Sequence, residues 1–333
     1  MEHRVLRVGL LGAGRIGRIH AANVSAHGRA RLVAVADASA AARDGVAGST
    51  GAEPRDVGAV VDAPDVEAVL ICTPTDTHAE LIEQAARAGK AVFCEKPVSL
   101  DAERTRACLE VVRACGTPLM VGFNRRFDPS FAAVRRRIEA GEVGAVELVT
   151  ILSRDPSPPP PDYVARSGGL FRDMMVHDLD MARFLLGEEP AEVHAVASCL
   201  VDPAIGKAGD VDTAAVLLKT AGGGIAQISN SRRATYGYDQ RIEVHGSLGL
   251  LSAGNLRATT VTFAGAGGYG TDPALPFFLE RYADAYRAEI DAFVSGVLDG
   301  APLSPSGEDG LKAQVLADAA TEAARTGRPV RPA

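Results

Sequence analysis

Asp173 and His177 stand four residues apart in GGLFRDMMVHDLDMARFLLG, residues 168–187, and on a helix that spacing sets both side chains on one face. A carboxylate beside an imidazole orients the ring and supports its charged form. Free histidine titrates at ~6.5, which suits a base that takes a hydroxyl proton as hydride leaves the same carbon. Such assistance is worth about 10²- to 10⁴-fold. At ~100° per residue Asp180 and Phe184 share that stripe, whereas Arg172 with Arg183, and Asp178, point in two other directions. No single face is polar, so some of these charges lie against protein or in a cleft, where they need a partner or a use. A structural His–Asp hydrogen bond and a pair of metal ligands are the competing readings. No third ligand stands at helical or loop spacing, so no metal is expected.

Two kinds of element must position these groups. From residue 5 to about 120, short apolar runs (VLRVGLLG, RLVAVAD, AVLICTP, KAVFCEKP, PLMVGF) alternate with helical segments, the pattern of a doubly wound parallel sheet with right-handed crossovers. After Phe123 and a helix over 129–140 the runs lengthen and alternate: VELVTILSR, EVHAVASCLV, TAAVLLKT, GIAQISNS, QRIEVHG, GLLSA, ATTVTF. Gly-rich turns between some of them predict antiparallel hairpins. The expectation is an α/β chain: a dinucleotide-binding domain over 1–122 and, over 123–333, an α+β domain with an open, mainly antiparallel sheet. The 168–187 helix should cover one face of that sheet. Helices over 280–299 and 307–326 would pack back onto the first domain. In RDPSPPPPDY the prolines hold an extended segment, read either as a docking motif or as a stiff loop presenting Asp155 and Tyr163 near a cleft.

The first domain opens with GLLGAGRIGRIHA, which sets Gly12, Gly14 and Gly17 as GxGxxG after a strand and before a helix. The first glycine permits the tight turn, the second lets backbone approach a pyrophosphate, and the third packs helix on strand. Phosphates would lie at the helix N-terminus over Arg15 and Ile16. Asp37 ends the next strand, where a carboxylate accepts from ribose hydroxyls and repels a 2′-phosphate, so NAD is favoured over NADP. Further strand ends carry Thr73, Pro74, Thr75 and His78 in ICTPTDTH, and Glu95 with Lys96 in CEKP. Both groups point into the crevice where such sheets bind ligands.

The net charge of −7 argues against a nucleic-acid surface. No apolar stretch nears the ~18 residues of a membrane span. Five cysteines without a CxxC pair fit reduced thiols, and the glycine loop begins too early to leave room for a secretory signal. A cytoplasmic protein of small-molecule chemistry is expected.

The glycine loop with Asp37, then EKP, then the 168–187 stretch together resemble the Gfo/Idh/MocA oxidoreductase family over nearly the whole chain. GFNRRFDPSF, SRDPSPPPPDY and ISNSRRATYGYDQRIEVHG look like its inositol 2-dehydrogenase branch. Met175 departs from the smaller polar residue expected there. The resemblance implies a catalytic set of Lys96, Asp173 and His177. His177 would take the hydroxyl proton, Asp173 would hold His177, and Lys96 would hydrogen-bond the hydroxyl oxygen while hydride passes to NAD. It further implies myo-inositol as substrate, a homotetramer and a cis Lys96–Pro97 bond. Arg125, Asp155 and Tyr236 are added as substrate-binding candidates, since a ring of hydroxyls needs fixed polar partners. A dehydrogenase of a related sugar or another inositol isomer is the alternative within enzymes. A non-catalytic dinucleotide-binding regulator is the alternative outside them.

Overall fold

The computed structural model describes residues 4–332, apart from the side chains of Pro161 and Ala165. By its internal contacts the chain forms two compact units. One takes the described residues up to Phe127 together with Ala285–Gln314, and the other takes Asp128–Asp284 with the chain from Val315 onward.

Strands that are apolar on both faces need cover on both, which a parallel sheet between helices supplies. In the first unit β1 (Leu6–Leu11), β2 (Ala30–Ala36), β3 (Glu53–Pro54), β4 (Ala68–Ile71), β5 (Ala91–Glu95) and β6 (Leu119–Gly122) lie in the order β3-β2-β1-β4-β5-β6. Every pairing is parallel. This is the doubly wound order, with its switch point between β1 and β4. The crossovers carry α1 (Arg15–Ala26), α2 (Ala40–Thr50), α3 (Val57–Val61), α4 (His78–Arg87) and α5 (Ala102–Cys115). Asp101 caps α5 by accepting from Glu103 N, and Gly116 ends it in the left-handed conformation. Leu6, Leu10, Val35, Phe93 and Met120 are buried in one core with Ile290, Phe293 and Val294 of a much later helix, Ala283–Asp299.

The second unit begins with α6 (Pro129–Glu139), β7 (Val146–Arg154), α7 (Pro161–Ser167), α8 (Val176–Leu186), β8 (Pro190–Ser198) and α9 (Pro203–Lys207). It continues through β9 (Thr213–Thr220), β10 (Ile225–Ser231), β11 (Asp239–Gly246), β12 (Gly249–Ala253) and the detached hairpin β13 (Thr262–Gly265) and β14 (Gly268–Thr271). Along the chain follow α10 (Phe278–Arg281), α11 (Ala283–Asp299), which from Ala285 belongs to the first unit, and α12 (Gly307–Thr326), which belongs to the first unit as far as Gln314. The sheet runs β12-β11-β7-β10-β9-β8. Only β7 and β10 pair in parallel; the other neighbours are antiparallel. Alternation does its work here: β9 buries Ala214, Val216, Leu218 and Thr220 and exposes Ala215, Leu217 and Lys219. α8 packs on the buried face against β7 and β10.

Two expectations need correction. ATTVTF does not join the sheet; its end forms the exposed hairpin β13–β14, because a run without an apolar face to share has no place in a packed sheet. Residues 168–187 are not one α-helix either. Gly168 and Gly169 have φ of 86° and 82°, which breaks the backbone after α7. Phe171–Met175 then form a π-helical turn before α8 begins. A π turn is wider than an α turn and occurs mostly as a single turn, frequently at functional sites.

Candidate active site

In the first unit, the glycine loop is shaped by backbone crowding. Gly12 has φ of 96°, and a Cβ there would lie 2.5 Å from the Cys72 carbonyl oxygen; at Gly17 it would lie 1.9 Å from the carbonyl oxygen of Gly12. A Cβ at Gly14 would meet nothing within 4 Å, so backbone there is open to approach. Gly14 also caps α1 without any side-chain hydrogen bond, which leaves the first turn's N–H groups for an anion. Asp37 closes the loop: one carboxylate oxygen accepts from Ala13 N at 2.6 Å and the other from Ser39 N at 2.7 Å. Each oxygen keeps a further lone pair for a ribose hydroxyl. An open cradle of N–H groups at a helix start beside a fixed carboxylate fits a dinucleotide. Arg15 is exposed and Ile16 half-buried on that first turn.

The neighbouring strand ends are tied together by His78. Its ring is buried, with Nδ1 at 2.8 Å from the Pro97 carbonyl oxygen and Nε2 at 2.8 Å from that of Thr73. Both nitrogens therefore face backbone acceptors, and His78 acts on a ligand only through the two loops it joins. Thr77 binds Thr73 Oγ1 at 2.7 Å; Pro74 is exposed and Thr75 half-buried. The Lys96–Pro97 bond is cis, and Lys96 is half-buried at the end of β5. Glu95, the residue before it, faces away into protein, where Oε1 lies 2.7 Å from His20 Nε2. Arg125 is buried in the short turn Asn124–Phe127.

In the second unit, Asp173 occupies the π turn and His177 the first turn of α8. The Tyr163 hydroxyl donates to Asp173 Oδ1 at 2.9 Å, and Arg232 Nη2 lies 3.5 Å from Asp173 Oδ2. Arg232 Nη1 also reaches Asp155 Oδ2 at 3.9 Å. Burial around the Tyr163 phenol and then the Asp173 charge push its pKa up, so it remains a donor. Tyr236 donates to Asp239 Oδ2 at 2.7 Å and accepts from Arg154, the residue before Asp155, at 3.1 Å. Burial works to raise the Asp239 pKa, yet hydrogen bonds from Arg241, Asn255 and Tyr236 hold it low.

The remaining charges of the stretch have structural partners. Asp178 is buried and accepts from Asn230 at 2.8 Å. Arg183 pairs with both oxygens of Glu189 at 2.6 and 2.7 Å and with Asp180 at 3.4 Å. Arg172 binds Asp318 at 2.6 Å. Met175 is buried, which a polar residue would tolerate poorly there. Arg232 was missed by sequence reasoning; a basic pair in SRRA reads as a solvated surface. Among the described residues, no group of three or more His, Cys, Asp or Glu side chains converges as a metal site.

The strand order and the glycine loop together describe a Rossmann-type dinucleotide binder. Residues 6–123 match the model of the oxidoreductase family with NAD-binding Rossmann fold, and residues 131–252 match the GFO/IDH/MocA C-terminal domain. The chain belongs to the GFO/IDH/MocA oxidoreductase family. It is 59% identical to the inositol 2-dehydrogenase of Rhizobium meliloti, over 98% of each chain. It is 45% identical to the myo-inositol 2-dehydrogenase of Thermotoga maritima, again over 98% of each. The structure of the Lactobacillus casei scyllo-inositol dehydrogenase with NAD(H) and scyllo-inositol superposes with a TM-score of 0.92. That chain is 32% identical, with 98% of this chain and 99% of that one covered.

Proposed function

We propose that this protein oxidises myo-inositol at one ring hydroxyl to the 2-keto product with NAD. The observation that carries the reading is Asp173, held by Tyr163 and Arg232 one helical turn before His177, in a chain so similar to inositol 2-dehydrogenases. The loop Gly12–Gly17 and Asp37 would hold the cofactor, with Thr73, Pro74, Thr75 and Glu95 on the neighbouring strand ends, and when bound it would supply the hydride acceptor. The protein supplies position and proton traffic. His177 takes the hydroxyl proton, and Asp173 orients His177 and stabilises the imidazolium that results. Lys96 hydrogen-bonds the hydroxyl oxygen and favours its loss of the proton. Asp155, Arg125 and Tyr236 complete the polyol contacts.

On this reading residues 1–122 serve the cofactor and 123–333 serve substrate and assembly. The outward sheet face, with Leu148, Val196, Leu217, Ile225 and Leu250 exposed, is an apolar patch of the kind that subunit contacts cover. A homotetramer would assemble through that face, and the same reading takes the protein to work in the cytoplasm. No described helix is long and apolar enough to cross a membrane.

The test is NADH formation, followed by near-UV absorbance, with NAD or NADP and with myo-inositol, scyllo-inositol or glucose. Turnover of myo-inositol with NAD, reduced by about 10²-fold or more in His177→Ala, is the expected result. Preferential turnover of scyllo-inositol would favour a second reading, which the scyllo-inositol dehydrogenase likeness motivates. Tight NADH binding without turnover of any polyol would overturn the inositol assignment.

A further inference from the structure

Arg232 follows β10 and is 2% exposed, a degree of burial that arginine tolerates only when paired. Its backbone N–H donates to the Asp212 carbonyl oxygen at 2.9 Å, which fixes where the side chain starts. The guanidinium then lies between two carboxylates, 3.5 Å from Asp173 and 3.9 Å from Asp155. Its Nε is buried with no hydrogen-bond partner. A tight two-pronged grip on one carboxylate would put both contacts below ~2.9 Å; Arg232 instead divides its charge between two.

The backbone around it is rigid. Asp155 continues from β7 and Arg232 from β10, the one parallel pair of the sheet, and Asp155 N donates to the Ser231 carbonyl oxygen at 3.0 Å. That bond carries the ladder one step past the strands, up to the two charged residues. Tyr163, which also holds Asp173, is neutral and supplies a single hydrogen bond. The guanidinium lies between the two carboxylates and ties them to one rigid point of the sheet, and at 2% exposure it is too buried to compete for substrate hydroxyls.

We propose that Arg232 is a positioning residue that holds Asp155 and Asp173 as two acceptors at a fixed separation, the pair against which polyol hydroxyls are read. The inference rests on the polyol dehydrogenase reading above. It assigns Arg232 no contact with substrate or cofactor.

The experiment compares Arg232→Met, which keeps length without charge, with Arg232→Lys, which keeps charge. Steady-state kinetics with myo-inositol and NAD are read beside the NADH dissociation constant and the melting temperature. In Arg232→Met, KM for the polyol is expected to rise and kcat to fall, for a combined loss of about tenfold to hundredfold, with NADH affinity unchanged. Arg232→Lys should recover most of that loss. Loss of a buried ion-pair partner is destabilising, so should Arg232→Met fail to fold, Arg232→Gln replaces it with the same expectation. A neutral variant with wild-type KM and kcat overturns the proposal. So does an Arg232→Lys that folds normally yet is as impaired as the neutral variant. If the wild-type protein oxidises no polyol, the parent reading falls first and this one with it, an outcome separate from the variant ratios.

Discussion

Glu289 is a carboxyl that the chemistry does not use, and it makes the stability of the protein depend on pH. It is fully buried on α11 with neither oxygen hydrogen-bonded, and burial, then the Glu95 charge, pushes its pKa well above the ordinary 4.5. The folded state therefore keeps a proton that the unfolded chain releases above that ordinary value. The stabilisation is full below it and is lost as pH rises towards the folded pKa. Glu289→Gln, neutral at every pH, should flatten this dependence and raise the melting temperature at mildly alkaline pH relative to wild type. Parallel melting curves for the two proteins across pH would contradict the assignment. Asp309 works in the opposite sense. Burial opposes its ionisation, but Arg126 and the hydrogen bonds from Ser306 hold its pKa down at about 2, so its contribution is present above 3.8 and lost as pH falls through about 2. Tyr163 is the residue whose loss should be felt most locally. Tyr163→Phe removes the O–H donor to Asp173 and should lower kcat/KM by about tenfold; an unchanged value would mean that the carboxylate is oriented without that hydrogen bond. Among single residues, those with distinctive chemistry and local spacing were singled out from the sequence: Asp173, His177, the glycines and Asp37. Arg232 was not, because its partners come from a helical turn and from the end of another strand, and spacing along the chain carries no information about such meetings.

At the scale of elements, the apolar runs identified the strands of both sheets other than β3, whose two residues are exposed, because burial on both faces and burial on one leave different periodicities. β7, β9 and β12 fall on VELVTILSR, TAAVLLKT and GLLSA without a shift. The parallel pairing of β7 with β10 was not legible, since a strand's own residues do not record which neighbour it takes. The π turn was missed for a related reason. Apolar residues at 170, 171, 174, 175 and 176 satisfy an α-helical period nearly as well as a wider one, and only packing decides between them. The glycine loop yields the firmest element-scale prediction. In Gly17→Ala the new methyl would sit 1.9 Å from the Gly12 carbonyl oxygen, so the loop must open and α1 must shift. NADH affinity, read by fluorescence titration, should fall by about tenfold or more, with the second unit's fold unaffected. Affinity equal to wild type would mean that the loop does not hold the cofactor.

At the scale of the whole molecule, the exposed apolar residues of the outer sheet face set the assembly prediction. Replacing Val196 and Leu217 together by Asp should yield a smaller species in size-exclusion chromatography with light scattering, because buried unpaired carboxylates oppose association. An unchanged mass would place the subunit contact elsewhere. Ala285–Gln314 has a different consequence, one for synthesis. The first strands of the chain leave the ribosome early, yet the core they belong to contains Ile290, Phe293 and Val294, with the rings of Phe93 and Phe293 5.8 Å apart. Domains usually fold as they emerge, N-terminal first. Here the first sheet must wait, partly bare, while the entire second sheet is translated. The nascent chain is thus exposed to aggregation for longest in the part made first, and a protein shortened before residue 285 would lack a finished cofactor domain even though every strand of that domain had been made.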